Sequence, residues 1–141
     1  MRGVKAYDQL YIDGKWVNPV GEGVFEVTDS ASEEVIATVP QGAVDDIDAA
    51  VAAARAAFPA WSATTKDERA GYLAKISAGL DERSDELANT IAREVGMPLF
   101  LANLIQVGLP KANFGVAAQL LDSYEFESTV GNSLVVREPV G

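Results

Sequence analysis

The feature that most constrains this chain is a change of hydrophobic period at Gly42. Before it, short runs of strand length are separated by turn residues; after it, apolar residues recur at helical spacing. Gln9-Leu10-Tyr11-Ile12-Asp13-Gly14-Lys15-Trp16-Val17 is the clearest signal in the first part. Asp-Gly accepts positive φ at both turn positions, as a two-residue hairpin of the right twist requires. Leu10, Ile12 and Trp16 are expected to share one face of it. Val24 to Val27 and Val35 to Val39 form a second expected strand pair across the turn-rich Asp29-Ser30-Ala31-Ser32, and Pro40-Gln41-Gly42 closes the β region.

Beyond Gly42, Ile47, Ala50, Val51, Ala54 and Phe58 form one apolar stripe, with Asp45 and Asp46 in the first turn complementing the helix dipole. Pro59 is expected to stop this helix. Thr65-Lys66-Asp67-Glu68 has capping-box spacing and opens a second helix carrying Arg69, Tyr72, Leu73, Ile76 and Leu80. Ser84 is expected to cap a third, through Leu87, Ile91 and Val95, ended by Gly96 and Pro98. A fourth helical stretch, from about residue 99 to 124, should bend or break before Pro110. Ser133 to Glu138 reads as a closing strand, with Leu134 and Val136 on one face and Val135 and Arg137 on the other.

Residue chemistry is restrictive. With no cysteine and no histidine, thiol nucleophiles, imidazole bases and the usual zinc sites are excluded. Asp45/Asp46/Asp48, Asp81/Glu82 and Asp85/Glu86 could be acid–base pairs or oxygen-ligand metal sites, but each sits at a helix start or on a polar face, where solvated charge is the ordinary outcome. Gly21-Glu22-Gly23 lacks the third glycine and the following helix of a phosphate loop. Trp16 and Trp61 read as packing residues. The net charge of −10, with no Lys/Arg cluster, argues against a nucleic-acid partner. Ala49 to Ala60 is too short and too weakly apolar to span a bilayer, and Met1 to Leu10 lacks a signal-peptide core, so a cytoplasmic location without a membrane partner is expected. The apolar content of 48% is that of a globular chain.

The order of segments closely resembles the amino-terminal region of aldehyde dehydrogenases. The resemblance is carried by Tyr11-Ile12-Asp13-Gly14-Lys15-Trp16-Val17, by Phe25 through Pro40, and by Ile47-Asp48-Ala49-Ala50-Val51 to Ala54-Arg55-Ala56-Ala57-Phe58 with Trp61. It continues through Glu68-Arg69, Leu73, Ile76, Leu80, Arg83, Leu87-Ala88, Glu94-Val95-Gly96-Met97-Pro98 and Val135-Val136-Arg137-Glu138-Pro139-Val140-Gly141. It implies an α/β fold (α+β as an isolated piece): β-hairpins, then about four helices, then an assembly-type strand. Residues 1–141 would be the N-terminal part of the nucleotide-binding domain, with 130–141 entering the oligomerisation strand and the catalytic domain absent.

The resemblance also implies a chemistry and a set of residue roles. The parent family uses NAD or NADP: a thiolate attacks the aldehyde, hydride passes to the nicotinamide, and the thioester is hydrolysed. The cysteine, the general-base glutamate, the oxyanion-stabilising asparagine and the cofactor-binding residues would all lie beyond Gly141. The chain alone is therefore expected to be inactive and to bind no cofactor. The carbonyl of Val27 and the carboxylate of Glu94 match two ligands of a monovalent cation, and Ile105 and Leu109 match residues of the substrate tunnel. Leu134, Val135 and Val136 match the assembly strand. Partners would be the remainder of the enzyme or a second copy, the aldehyde being bound only by the intact enzyme. A non-catalytic module that associates with other subunits is the alternative. Because the sequence stops with a strand in progress, that strand is expected to pair with another copy or to be disordered.

Overall fold

The computed structural model describes residues 4–140. The first residues of the segment read for a signal peptide, and Gly141, lie outside them. The architecture is mixed α/β: three small sheets flank a helical layer, in an order close to the expected one.

Strands β2 (Leu10–Ile12) and β3 (Lys15–Val17) form the expected hairpin, with φ of 52° at Asp13 and 72° at Gly14. Its register corrects the expected face. Tyr11 stands opposite Trp16, whereas Leu10 pairs with Val17 and Ile12 with Lys15. Residues directly opposite share a face, so Trp16 lies against Tyr11, with ring centroids 5.1 Å apart, and not beside Leu10 and Ile12. Strands β4 (Val24–Thr28) and β5 (Val35–Pro40) pair antiparallel with a bulge between Val27 and Thr28. A short β1 (Lys5–Ala6), too brief to read from the sequence, adds to β5 in parallel.

Helix α1 (Val44–Ser62) continues through Pro59. A proline forfeits one hydrogen bond, to the carbonyl four residues back; here the loss falls in the final turn, on the exposed Arg55. The end comes instead where the Thr64 hydroxyl and amide donate to the Trp61 carbonyl, at 2.7 and 3.1 Å. Helix α2 (Lys66–Glu82) opens with the expected capping box: the Glu68 amide donates to Thr65 Oγ1 at 3.2 Å, and the Thr65 amide to Glu68 Oε2 at 2.8 Å. In α3 (Ser84–Val95) the cap residue is Arg83 rather than Ser84, and Arg83 holds Glu86 in a two-pronged ion pair at 2.9 Å. Gly96, at φ 67°, ends α3 in the left-handed conformation that glycine adopts without cost.

The helical run does not break before Pro110. A single turn, α4 (Leu99–Leu101), widens into a π-helical segment over Ala102–Val107 and then becomes α5 (Gly108–Ser123). The Gly108 amide donates to Asn103, a bond one residue longer than the α-helical one. The widened turn immediately precedes the segment that carries Pro110. The apolar core sits where α3 crosses this segment: Ala88, Ala102 and Val107 are buried there, with Leu87, Ile91, Ala92 and Met97 around them. Helix α5 packs along α2, where the Ser77 hydroxyl donates to the Lys111 carbonyl at 3.0 Å and Gly115 lies in contact with Ser77.

The chain closes with a hairpin that the sequence pattern had not suggested. Strand β6 (Glu127–Val130) pairs antiparallel with β7 (Ser133–Val136), so the closing strand has a neighbour within this chain, and it is ordered. Gly131-Asn132 forms the two-residue loop with φ 60° at Gly131, the glycine-first arrangement of a tight hairpin. The outer edge of β7 remains without a partner among the described residues.

Candidate functional site

The first turn of α1 is built around a carboxylate. Asp46 is 6% exposed and accepts amide hydrogen bonds from Ala43 (2.8 Å), Val20 (3.0 Å) and Gly21 (3.4 Å). These donors, that of Ala43 first and that of Val20 second, hold its pKa below the ordinary carboxylate range. Asp46 is therefore a clamp that docks the β3–β4 connection on α1, not the solvated charge expected from its position. Gly21 is required for that approach, since a Cβ there would lie 2.2 Å from the Gln41 carbonyl oxygen.

The other helix starts differ: Thr65 and Glu68 cap α2, whereas no side chain caps the first amides of α3 or α4. Glu86, its pKa lowered by the Arg83 guanidinium, stands in the first turn of α3.

The candidate cation ligands lie near each other in the fold. Val27 is on β4, and Glu94 is in the last turn of α3, which packs against β4. The β4–β5 turn is fastened there. The Ser30 amide donates to the Arg93 carbonyl at 2.9 Å, the Ser30 hydroxyl donates to the Glu94 carbonyl, and Arg93 pairs with Asp29 at 2.9 Å. That pairing, with the Ala31 amide, lowers the Asp29 pKa. Glu94 is exposed and lines a hollow of about 430 Å³ shared with Lys5, Tyr7, Ile36, Glu86 and Arg93. No group of three acidic or other metal-ligating side chains occurs among the described residues.

Ile105 lies in the π-helical segment and Leu109 in the first turn of α5, one helical step apart, and both are exposed. With Phe100 and Leu104 they make an apolar ridge that no other described element covers. Leu134 and Val136 are exposed on β7, and Val135 is half-buried. The α1 stripe is also uncovered: Ile47 and Val51 face outward.

The total surface gives the scale of this exposure. A compact 14.9 kDa monomer shows about 7,000 Å² to solvent, whereas this chain shows 10510 Å². The excess of about 3,500 Å² falls in the range of permanent, apolar interfaces. What these residues can offer chemically is contact surface; no nucleophile–base pair is assembled among them. Sequence reasoning missed the β6–β7 hairpin and the Asp46 clamp. Gly131-Asn132 between apolar runs was the available signal for the first. For the second, only the Ala43 amide, three residues away, was within local reach; the Val20 and Gly21 donors lie 26 and 25 residues away.

No helix among the described residues is long and apolar enough to cross a membrane. The sequence profile of the aldehyde dehydrogenase family matches residues 16–141. A 3-succinoylsemialdehyde-pyridine dehydrogenase of a Pseudomonas species is 39% identical over 139 residues, covering 98% of this chain and 29% of its own length. Among solved structures, aldehyde dehydrogenase C of Pseudomonas syringae, a mutant crystallised with NAD+ and octanal, superposes with a TM-score of 0.85 at 40% identity, covering 88% of this chain and 26% of that one. The Mycobacterium tuberculosis aldehyde dehydrogenase complexed with NAD+ gives 0.83 at 35% identity, over 97% and 30%. The chain thus spans less than a third of the length of the relatives it matches. By the match over residues 16–141, with the same elements in the same order, the chain belongs to the aldehyde dehydrogenase family.

Proposed function

We propose that these 141 residues are a supporting segment of an NAD(P)-dependent aldehyde dehydrogenase, the first part of its nucleotide-binding domain, and that they are inactive alone. The parent reaction converts an aldehyde to a carboxylic acid through a cysteine thioester; the chain has no cysteine to form one. The observation that carries this reading is the uncovered apolar surface. Ile47, Val51, Leu104, Leu109, Leu134 and Val136 are side chains that a core covers elsewhere, and here they face solvent. In this reading Ile105 and Leu109 border the substrate tunnel, Val27 and Glu94 supply two oxygens to a monovalent cation, and residues 130–141 lead into assembly through Leu134, Val135 and Val136. The setting is cytoplasmic, and the acidic charge excludes a nucleic-acid role.

The experiment is direct. The purified 141-residue protein, mixed with NAD+ and octanal, gives no rise in NADH absorbance; a rise overturns the assignment of inactivity. A second reading, a non-catalytic module that binds other subunits, is favoured by the open outer edge of β7. Reading the DNA downstream of Gly141 separates the two. A continuing open frame supports the segment, and a stop codon the module.

A further inference from the structure

We propose that Lys66 and Arg69 are positioning residues that set the direction in which the β6–β7 hairpin leaves the helical layer. The inference starts from what does not hold the hairpin. Its apolar side chains Val130 and Leu134 are each 66% exposed and Val135 is only half-buried, so burial anchors it weakly. A hollow of about 860 Å³ separates its base, at Phe126, Val136 and Arg137, from Phe58 and Trp61 of α1. The two strands pair with each other and with no other strand among the described residues. A two-stranded ribbon of this kind has no orientation of its own; the neck that joins it to α5 must supply one.

That neck is Tyr124, Glu125 and Phe126, and cations from both sides grip it. Lys66 is the first residue of α2, where a positive charge opposes the helix dipole. Its ammonium reaches the end of α5 instead, donating to the carbonyls of Asp122 at 3.2 Å and Tyr124 at 3.1 Å. Carbonyls at a helix C-terminus lack intrahelical partners, so a cation there is well placed. One turn along α2, the Arg69 guanidinium lies 5.3 Å from the centre of the Phe126 ring. From the hairpin side, Arg137 donates through its backbone to the Phe126 carbonyl at 2.8 Å and through its side chain to Glu125 at 3.2 Å. The Tyr124 and Phe126 rings meet edge to face at 4.8 Å. Arg137 ties the neck to the hairpin. Among the described residues, Lys66 and Arg69 supply the hydrogen bonds and cation–π contact that tie it to α2, so removing them should free the hairpin as a rigid body while α2 and α5 stay packed. The inference does not depend on the proposed enzyme role.

The absence of native cysteine makes the test specific. Spin labels are placed at Glu82→Cys on the far end of α2 and Asn132→Cys at the hairpin tip. Their distance distribution is measured by pulsed electron resonance, with labelled protein diluted in unlabelled cysteine-free chain to remove intermolecular pairs. A single narrow distribution is expected for the parent. Lys66→Met with Arg69→Met should at least double its width with the far-UV helical signal unchanged, and Lys66→Arg, which keeps the donors, should stay narrow. An unchanged width in the double variant overturns the proposal. If the double variant loses helix, Arg69→Met alone decides: broadening supports the proposal and an unchanged width overturns it.

Discussion

Val107 offers the most exacting test of where this chain keeps its stability. It is 3% exposed, wedged with Ala88 and Ala102 at the crossing of α3 and the π-helical segment. Val107→Ala removes two methyl groups, worth about 0.8 kcal/mol each in transfer free energy. The space they leave adds to this at about 24 cal/mol per Å³ where the walls do not close. The expected loss is about 2 kcal/mol. Val44→Ala is the control, because Val44 is 71% exposed at the start of α1. Alanine is the better helix former at both positions by less than about 0.7 kcal/mol, so the difference between the two variants isolates burial. The unfolding entropy, about 2.1 cal/mol/K per residue, comes to about 0.3 kcal/mol/K for a chain of this length, so the Tm difference should be about 7 °C. Urea and thermal unfolding by far-UV circular dichroism, at one fixed protein concentration because association shifts both, read it. If the two variants lie within about 0.5 kcal/mol of each other, the crossing is not the core and the packing argument fails.

Other consequences are equally open to measurement. Asp46 has a folded-state pKa below its ordinary 3.8; its contribution is full above that value and is lost as pH falls through the lowered one. Asp46→Asn should therefore be less stable than the parent near neutral pH, and the gap in urea midpoints should narrow below about pH 3.8; a gap that stays constant would refute the clamp. The isolated chain should bind a hydrophobic dye and scatter light as a dimer or larger species; a monodisperse monomer with a sharp, high-temperature transition counts against the uncovered surface. Val136→Lys should weaken self-association with helical content unchanged, and equal association by sedimentation would remove the β7 edge as the contact. In each case the exposed areas are large enough to read: roughly 3,500 Å² beyond a compact monomer is more than a typical transient interface buries.

Local chemistry carried the parts of this protein that depend on near neighbours. The Asp13-Gly14 turn, the Thr65/Glu68 capping box and the Gly96 stop each involve residues within a few positions of one another, and each stands where the sequence places it. The family was legible for a related reason: it rests on the order of such segments along the chain. The partners of those segments were not legible. Trp16 faces Tyr11 because register is set by the whole ladder, and Asp46 is buried because Val20 and Gly21 fold back across 26 and 25 residues. Pro59 does not end its helix because the bond it forfeits falls near the helix end, on the exposed Arg55, and Pro110 follows a widened turn within a continuous helical run. The α1 stripe shows the limit most clearly. Periodicity states which side chains share a face, but only the tertiary structure decides what covers that face, and among the described residues of this chain nothing covers Ile47 and Val51.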